Sequence, residues 1–270
     1  MAEIERELVR KSFDCHAGQY DSLALVQQKV TDRFAVLLES STSSPASLLD
    51  IGAGTGRLLE KVSRMFPDTD LVGIDLAFGM TKVARHRLKD CSRAAFICSD
   101  AENLPFGEGS FDIVVSTSTY QWISPLEKAF AEVYRVLKPD SRFCFALFGE
   151  KTLFELRDSF SRAVAESGRT VADRTHRFAA AAEVMSAMTA SGFAGCSVHE
   201  EMEREIHPDV PALLRSIKGI GAGNAARNSD GGLSGRSVML RMMAIYSEEY
   251  GKTGGVQATY HVLYGVGKKI

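Results

Sequence analysis

The stretch Leu48-Leu49-Asp50-Ile51-Gly52-Ala53-Gly54-Thr55-Gly56 reads as an apolar strand that runs into a glycine turn and opens a helix, Arg57 to Met65. Gly52 and Gly54 remove Cβ atoms where the backbone must turn sharply and a ligand can lie against it, and Gly56 allows close helix packing. Working outward, Leu71 to Ile74, Ala95 to Cys98, Ile113 to Ser116 and Phe143 to Leu147 read as further buried strands. Met80 to Lys89 and Leu126 to Leu137 read as helices between them. Strand and helix alternating at this length predict a parallel sheet covered on both faces, an α/β fold with its ligand crevice at the C-terminal ends of the strands.

Before this core, Val26, Val30, Phe34, Leu37 and Leu38 recur at helical spacing, so the first forty residues read as an amphipathic arm ahead of the polar linker Ser40 to Ser44. After Glu150 the alternation breaks. Thr152 to Ser167 and Ala179 to Ser191 read as helices and Cys196 to Ile206 as a long strand, followed by helical segments at Pro211 to Lys218 and Arg236 to Tyr250. Tyr260, Val262, Tyr264 and Val266 recur at period two in a closing strand, and Gly219 to Gly235 reads as a glycine-rich loop.

The 270 residues carry a formal net charge of -2, against the cationic excess of a general nucleic-acid binder. The charged start, Met1 to Lys11, lacks the apolar run of a signal peptide and no later run reaches spanning length, so a cytoplasmic protein is expected. The five cysteines form no CxxC pair and are expected to be free thiols, most of them buried; the six histidines show no metal-ligand spacing, so no metal is expected.

Dinucleotide enzymes place GxGxxG after the first strand, but here the third glycine comes one residue early, which favours S-adenosylmethionine. Asp75, at the end of the next strand, can accept both hydroxyls of a ribose, or instead cap the following helix. Ser99-Asp100-Ala101-Glu102 ends the third strand with an acidic group placed for an adenine amino group. With Phe111-Asp112-Ile113-Val114-Val115-Ser116 and Tyr134-Arg135-Val136-Leu137-Lys138-Pro139, these residues resemble the class I S-adenosylmethionine-dependent methyltransferases over roughly residues 45–150.

That resemblance implies a Rossmann-like sheet of seven strands, mostly parallel with the last antiparallel. It implies cofactor contacts from Asp50, Gly52, Ala53, Gly54, Gly56, Asp75, Leu76, Asp100, Ala101, Glu102 and Ser116, with S-adenosylhomocysteine as the product. Asp140-Ser141 stands where this family often has two glycines.

The flanking segments resemble a narrower family, the malonyl-acyl-carrier-protein O-methyltransferases of biotin synthesis. The similarity lies in Lys11-Ser12-Phe13 to Tyr20-Asp21, Phe148-Gly149-Glu150-Lys151-Thr152-Leu153-Phe154-Glu155-Leu156-Arg157, Leu213 to Asn224 and Thr259 to Gly265. It implies one domain over 1–270: a helical arm (1–44), a cofactor-binding core (45–150), helical lid insertions (151–195 and 208–250) and closing strands (196–207 and 258–266). The implied reaction methylates the free carboxylate of a malonyl thioester, on acyl carrier protein or coenzyme A, with no nucleic acid or membrane partner.

Such a carboxylate is already ionised at neutral pH and needs no base; what it needs is a cation to hold it. Arg157 is the candidate clamp and Tyr20 a candidate hydrogen-bond donor, against the plainer readings of a surface arginine and a packing aromatic. Arg215 and Lys218, then Arg236 and Arg241, are candidate docking cations for an acidic carrier protein. The rival reading is a methyltransferase for another small carboxylate or a quinone-type carbon; a carbon acceptor would need a base, for which His16 is the one histidine of the arm.

Overall fold

The computed structural model describes residues 6–42, 44–168, 177–220 and 233–270; most of the predicted glycine-rich loop lies outside them. The helical arm consists of α1 (Arg6–His16), α2 (Tyr20–Leu23) and α3 (Leu25–Ser41). Strands and helices then alternate as β1 (Ser47–Ile51), α4 (Arg57–Met65), β2 (Asp70–Asp75), α5 (Phe78–Arg87), β3 (Ala94–Cys98) and β4 (Phe111–Thr117). A 3₁₀ turn (Tyr120–Trp122), α6 (Leu126–Val136) and β5 (Leu137–Phe148) complete the core. Beyond it run α7 (Phe154–Glu166), α8 (Ala181–Ala190), β6 (Ala194–His207), α9 (Val210–Gly219), α10 (Leu233–Tyr250), the two-residue β7 (Gly251–Lys252) and β8 (Gly255–Lys268).

The sheet order is β3-β2-β1-β4-β5-β8-β6, with β7 paired to β8. β1 to β5 are parallel and β8 is antiparallel to both β5 and β6, the topology the sequence predicts, with β7 as an addition. β1 lies between β2 and β4 and is buried on both faces, which is why Leu48 to Ile51 carry little alternation. α6 turns Leu126, Ala129, Phe130, Val133 and Val136 toward the sheet at three- and four-residue spacing.

One apolar core joins the sheet to α3, α4, α5, α9 and α10; the other joins it to α6 and α8. A third, small cluster ties Ala17, Phe13 and Tyr20 of the arm to Ala77 and Met80 at the start of α5. That cluster brings the arm over the C-terminal ends of the strands.

Two expectations change. Only Cys144 is buried; Cys91 and Cys196 are half-buried and Cys15 and Cys98 exposed, because two of the thiols sit at strand margins and one on the outer face of the arm. At Asp140-Ser141 the chain keeps a left-handed turn without glycine: Asp140 adopts φ 63° and its carboxylate meets Lys268 at 2.7 Å. Among the described residues, no helix is long and apolar enough to cross a membrane, and no group of three or more His, Cys, Asp or Glu could hold a metal ion.

Candidate active site

Four parallel strands deliver their ends to one place. Gly52 N–H and Ala53 N–H both donate to the Ile74 carbonyl at 2.8 Å, which bends the turn after β1 over the end of β2. Gly52, Gly54 and Gly56 all have positive φ, at 71°, 54° and 80°. A Cβ on Gly56 would lie 3.0 Å from Ala84 Cβ, so this glycine serves helix packing between α4 and α5. At Gly52 a Cβ would come 2.0 Å from Thr119 Oγ1: the cradle under this residue is filled by the loop after β4.

Asp75 is fixed by that turn. Its Oδ2 accepts from Gly54 N–H at 3.0 Å and its Oδ1 from Ala77 N–H at 2.8 Å, which fixes it on the crevice wall; the N-cap of α5 is Ala77, which has no side-chain cap bond, so Asp75 is not the cap of that helix. Burial lifts its pKa to about 6 against the pull of those two N–H groups, with the Asp14 carboxylate adding to the rise. Each oxygen keeps a lone pair for a further donor. Asp100 begins the next wall, its Oδ1 accepting from Glu102 N–H at 2.9 Å.

These ends line one open cavity. Gly52, Gly54, Asp75, Leu76, Asp100 and Ala101 stand on its wall, as the sequence predicts; so do Trp122 and Ile123 after β4. The arm closes it with Val9, Arg10, Phe13 and Tyr20, and Phe13 meets Trp122 edge to face at 5.9 Å between ring centres. A second cavity, about 420 Å³, opens on the other side of the glycine turn between α3 and α4; Ala53 lines it, and Tyr20, Gly52, Gly54, Thr117 and Ser118 line both.

The roof is latched by side chains. Asp21 accepts from the Thr55 hydroxyl at 2.7 Å and pairs with Arg87, which also donates to Thr55 Oγ1 at 3.0 Å. Gly79 N–H donates to Asp14 Oδ1 at 2.5 Å. Burial, with the Asp75 and Asp21 carboxylates nearby, raises the Tyr20 pKa above its ordinary value, so the phenol stays a donor at neutral pH.

Other predicted residues stand apart from the cavity walls. Asp50 is buried at the end of β1 beneath the turn, its carboxyl pushed up to about 8 by burial and by Asp75. Ser116 is fully buried and donates to the Ile51 carbonyl at 2.7 Å, joining β4 to β1. Glu102 is buried against Lys128 at 3.7 Å. Arg157, in the first turn of α7, donates to the Glu150 carbonyl and lies on neither cavity wall. His16 Nδ1 meets the Ser12 carbonyl at 2.7 Å within α1 and is likewise on neither wall.

Arg215 and Lys218 are exposed on α9, whose end abuts Leu23 just beyond Tyr20. Arg236 is exposed on α10, and Arg241 is taken up by Glu166 at 2.5 Å. The residues that sequence reading missed are Val9, Arg10, Phe13, Trp122, Ile123 and the Asp21–Thr55–Arg87 latch. A signal existed for two of them: the single tryptophan follows β4 directly, and Phe13 and Tyr20 share one stretch of the arm.

A parallel sheet with a glycine turn after β1, an aspartate at the end of β2, a crevice at the strand ends and antiparallel strands β8 and β6 closing one side has the class I methyltransferase fold. The family described as "Methyltransferase domain" matches residues 49–145. Solved structures agree on the fold: a Bacillus YcgJ protein superposes at TM-score 0.59 with 20% identity, covering 92% of this chain and 98% of its own. A Haemonchus contortus phosphoethanolamine N-methyltransferase in complex with S-adenosylhomocysteine superposes at 0.55 with 20% identity, over 90% of this chain and 52% of its own.

The narrower relationship comes from sequence. The chain is 47% identical to the malonyl-[acyl-carrier protein] O-methyltransferase of Geobacter sulfurreducens over 98% of its length and 100% of that protein's, and 35% identical to that of a Methylovorus species over 97% and 88%. It belongs to the malonyl-[acyl-carrier protein] O-methyltransferase family.

Proposed function

We propose that this protein transfers a methyl group from S-adenosylmethionine to the free carboxylate of malonyl-acyl carrier protein, giving the methyl ester that primes pimeloyl synthesis for biotin. One observation carries the reading: Asp75, Asp100 and the glycine turn share a single cavity with Tyr20 and Phe13 of the arm, in a chain matched along its whole length by a carrier-protein methyltransferase. The cavity fits the cofactor by an aspartate with acceptor capacity left for a ribose and by an apolar wall of Leu76, Ala101 and Ile123 suited to a nucleobase.

Held by the glycine turn, Asp75 and Asp100, S-adenosylmethionine would supply an electrophilic methyl on a sulfonium sulfur, with S-adenosylhomocysteine as the product. The protein's part is placement. The acceptor carboxylate is ionised at neutral pH, so the wall needs no base, and His16 is engaged elsewhere. Tyr20 donates to the carboxylate while Val9 and Phe13 keep water out, so that proximity and desolvation supply most of the rate. Arg157 acts as the clamp after its guanidinium turns from the Glu150 carbonyl toward the crevice.

The chain works as one domain, with the arm and the segments after β5 forming the acceptor side. Arg215 and Lys218, beside the helix that carries Tyr20, dock the acidic carrier. The deciding experiment offers S-adenosylmethionine with malonyl-acyl carrier protein or malonyl-coenzyme A and seeks a base-labile methyl ester by mass spectrometry. Absence of the ester with both acceptors overturns the reading.

A further inference from the structure

The turn that leaves β5 is gripped by the first half of β8. Gly149 N–H donates to the His261 carbonyl at 2.8 Å and Leu153 N–H to the Thr259 carbonyl at 2.7 Å, while the Thr152 hydroxyl donates to the His261 carbonyl at 3.1 Å. The His261 side chain joins this grip. It is fully buried, and its Nδ1 accepts from Lys151 N–H at 3.4 Å. Its Nε2 lies 2.7 Å from Oε2 of the exposed Glu200 on β6. An ionised carboxylate only accepts, so the ring proton sits on Nε2 and the Nδ1 lone pair is left for Lys151. The ring also lies close against the turn: a Cβ on Gly149 would come 2.6 Å from Nδ1.

The peptide that gives its N–H to His261 is the one that gives its carbonyl to Arg157, whose Nη2 donates to Glu150 O. Across a trans peptide these two groups point in opposite directions. The 150–151 unit is therefore clasped from both sides, by the imidazole on one and by the guanidinium on the other.

We infer that His261, kept in one tautomer by Glu200, is a positioning residue for Arg157: by holding the 150–151 peptide it aims the Glu150 carbonyl and so fixes where the guanidinium starts before it meets the acceptor. The inference rests on the methyltransferase reading and deepens it. An arginine without that anchor has many solvated rotamers to give up on binding, so the hold favours the acceptor and leaves cofactor affinity alone.

Two substitutions separate the ring nitrogens. His261→Asn keeps an acceptor near the place of Nδ1, whereas His261→Gln reaches toward Glu200 and offers Lys151 nothing. His261→Gln should raise KM for malonyl-acyl carrier protein about 3- to 10-fold with S-adenosylhomocysteine affinity unchanged, and His261→Asn should stay within about twofold of the wild type. In an Arg157→Ala background His261→Gln should add nothing, because its effect passes through that side chain. Equal KM values for the two variants, or a rise that persists without Arg157, overturn the inference.

Position 261 is buried, so the exposed Glu200 supplies a second route. Glu200→Leu should raise KM about 2- to 4-fold, and Glu200→Gln, which still accepts from Nε2–H, should not. Wild-type KM in both His261→Gln and Glu200→Leu also overturns the inference. If the wild-type protein forms no ester, the proposed function falls, and hydrogen exchange at the Lys151 amide still decides the hold. Faster exchange in His261→Gln than in His261→Asn supports it, and equal rates overturn it.

Discussion

The floor and the roof of the crevice are held in different ways. In the floor, polar groups are tied to main chain: Ile74 O takes two N–H groups from the glycine turn, and Asp75 takes those of Gly54 and Ala77. In the roof, α1 and α2 hang on side chains: Asp14 on Gly79, Asp21 on Thr55 and Arg87, Phe13 against Trp122. A floor built from sheet and turns is preorganised before any ligand arrives, whereas a roof held by a few part-exposed pairs can open without disturbing the sheet. The arrangement suits a site that must admit a small cofactor and a carrier-borne acceptor but exclude water between them.

The largest test of the contrast is Asp75→Ala, which strips both the turn's side-chain anchor and the carboxylate proposed to accept the ribose; S-adenosylhomocysteine affinity should fall at least about 100-fold, measured by calorimetry. An unchanged affinity would mean that the floor is not where the nucleoside binds. Tyr20→Phe and Arg157→Ala should cut methyl transfer about 10- to 100-fold with cofactor affinity within about threefold. Wild-type turnover in both variants would show that neither residue serves the acceptor.

Acid should act on the floor through Asp75. Asp75, with its pKa about 6, is charged above that pH and neutral below it, so cofactor affinity should fall about tenfold between pH 7 and pH 5. The loss should vanish in Asp75→Asn; a slope that persists there assigns it to another group. The smallest effect is expected at the latch. Arg87→Met should speed cofactor release about 3- to 10-fold and shift the melting temperature by only a few degrees. A drop in stability as large as that of a core deletion would show that the latch holds the fold and not merely the roof.

The floor was also the legible part of the molecule. Runs such as Leu48 to Ile51 and Leu71 to Ile74 announce buried parallel strands, and glycines followed by a helical pattern announce the turn, because both are local consequences of burial and backbone sterics. Strand and helix limits fall mostly within a few residues of expectation, apart from β5, which extends back to Leu137. Asp75 and Asp100 reach the crevice because strand ends in such a sheet have little choice.

The roof was legible only as amphipathic helix. Nothing local marks the break at Ala24, or that Thr119 fills the space under Gly52. The side chain of Arg157 could not be aimed from sequence either, since its direction depends on a left-handed Leu153 at the start of α7. Asp50 and Ser116 were read by position in a motif, and position does not distinguish a carboxyl or hydroxyl on the cavity wall from one beneath it.

The closing strand sets the order in which this protein can become whole. β5 and β6 are joined only through β8, which follows both in the sequence and pairs Phe148 with Val262 on one side and His199 with Tyr264 on the other. As the chain emerges during synthesis, β1 to β5 can assemble from near neighbours, but the outer edge of β5 stays unpaired until β8 arrives from more than a hundred residues downstream. That edge carries Phe143, Phe145 and Leu147, so the nascent protein exposes a sticky margin through the late part of its own translation.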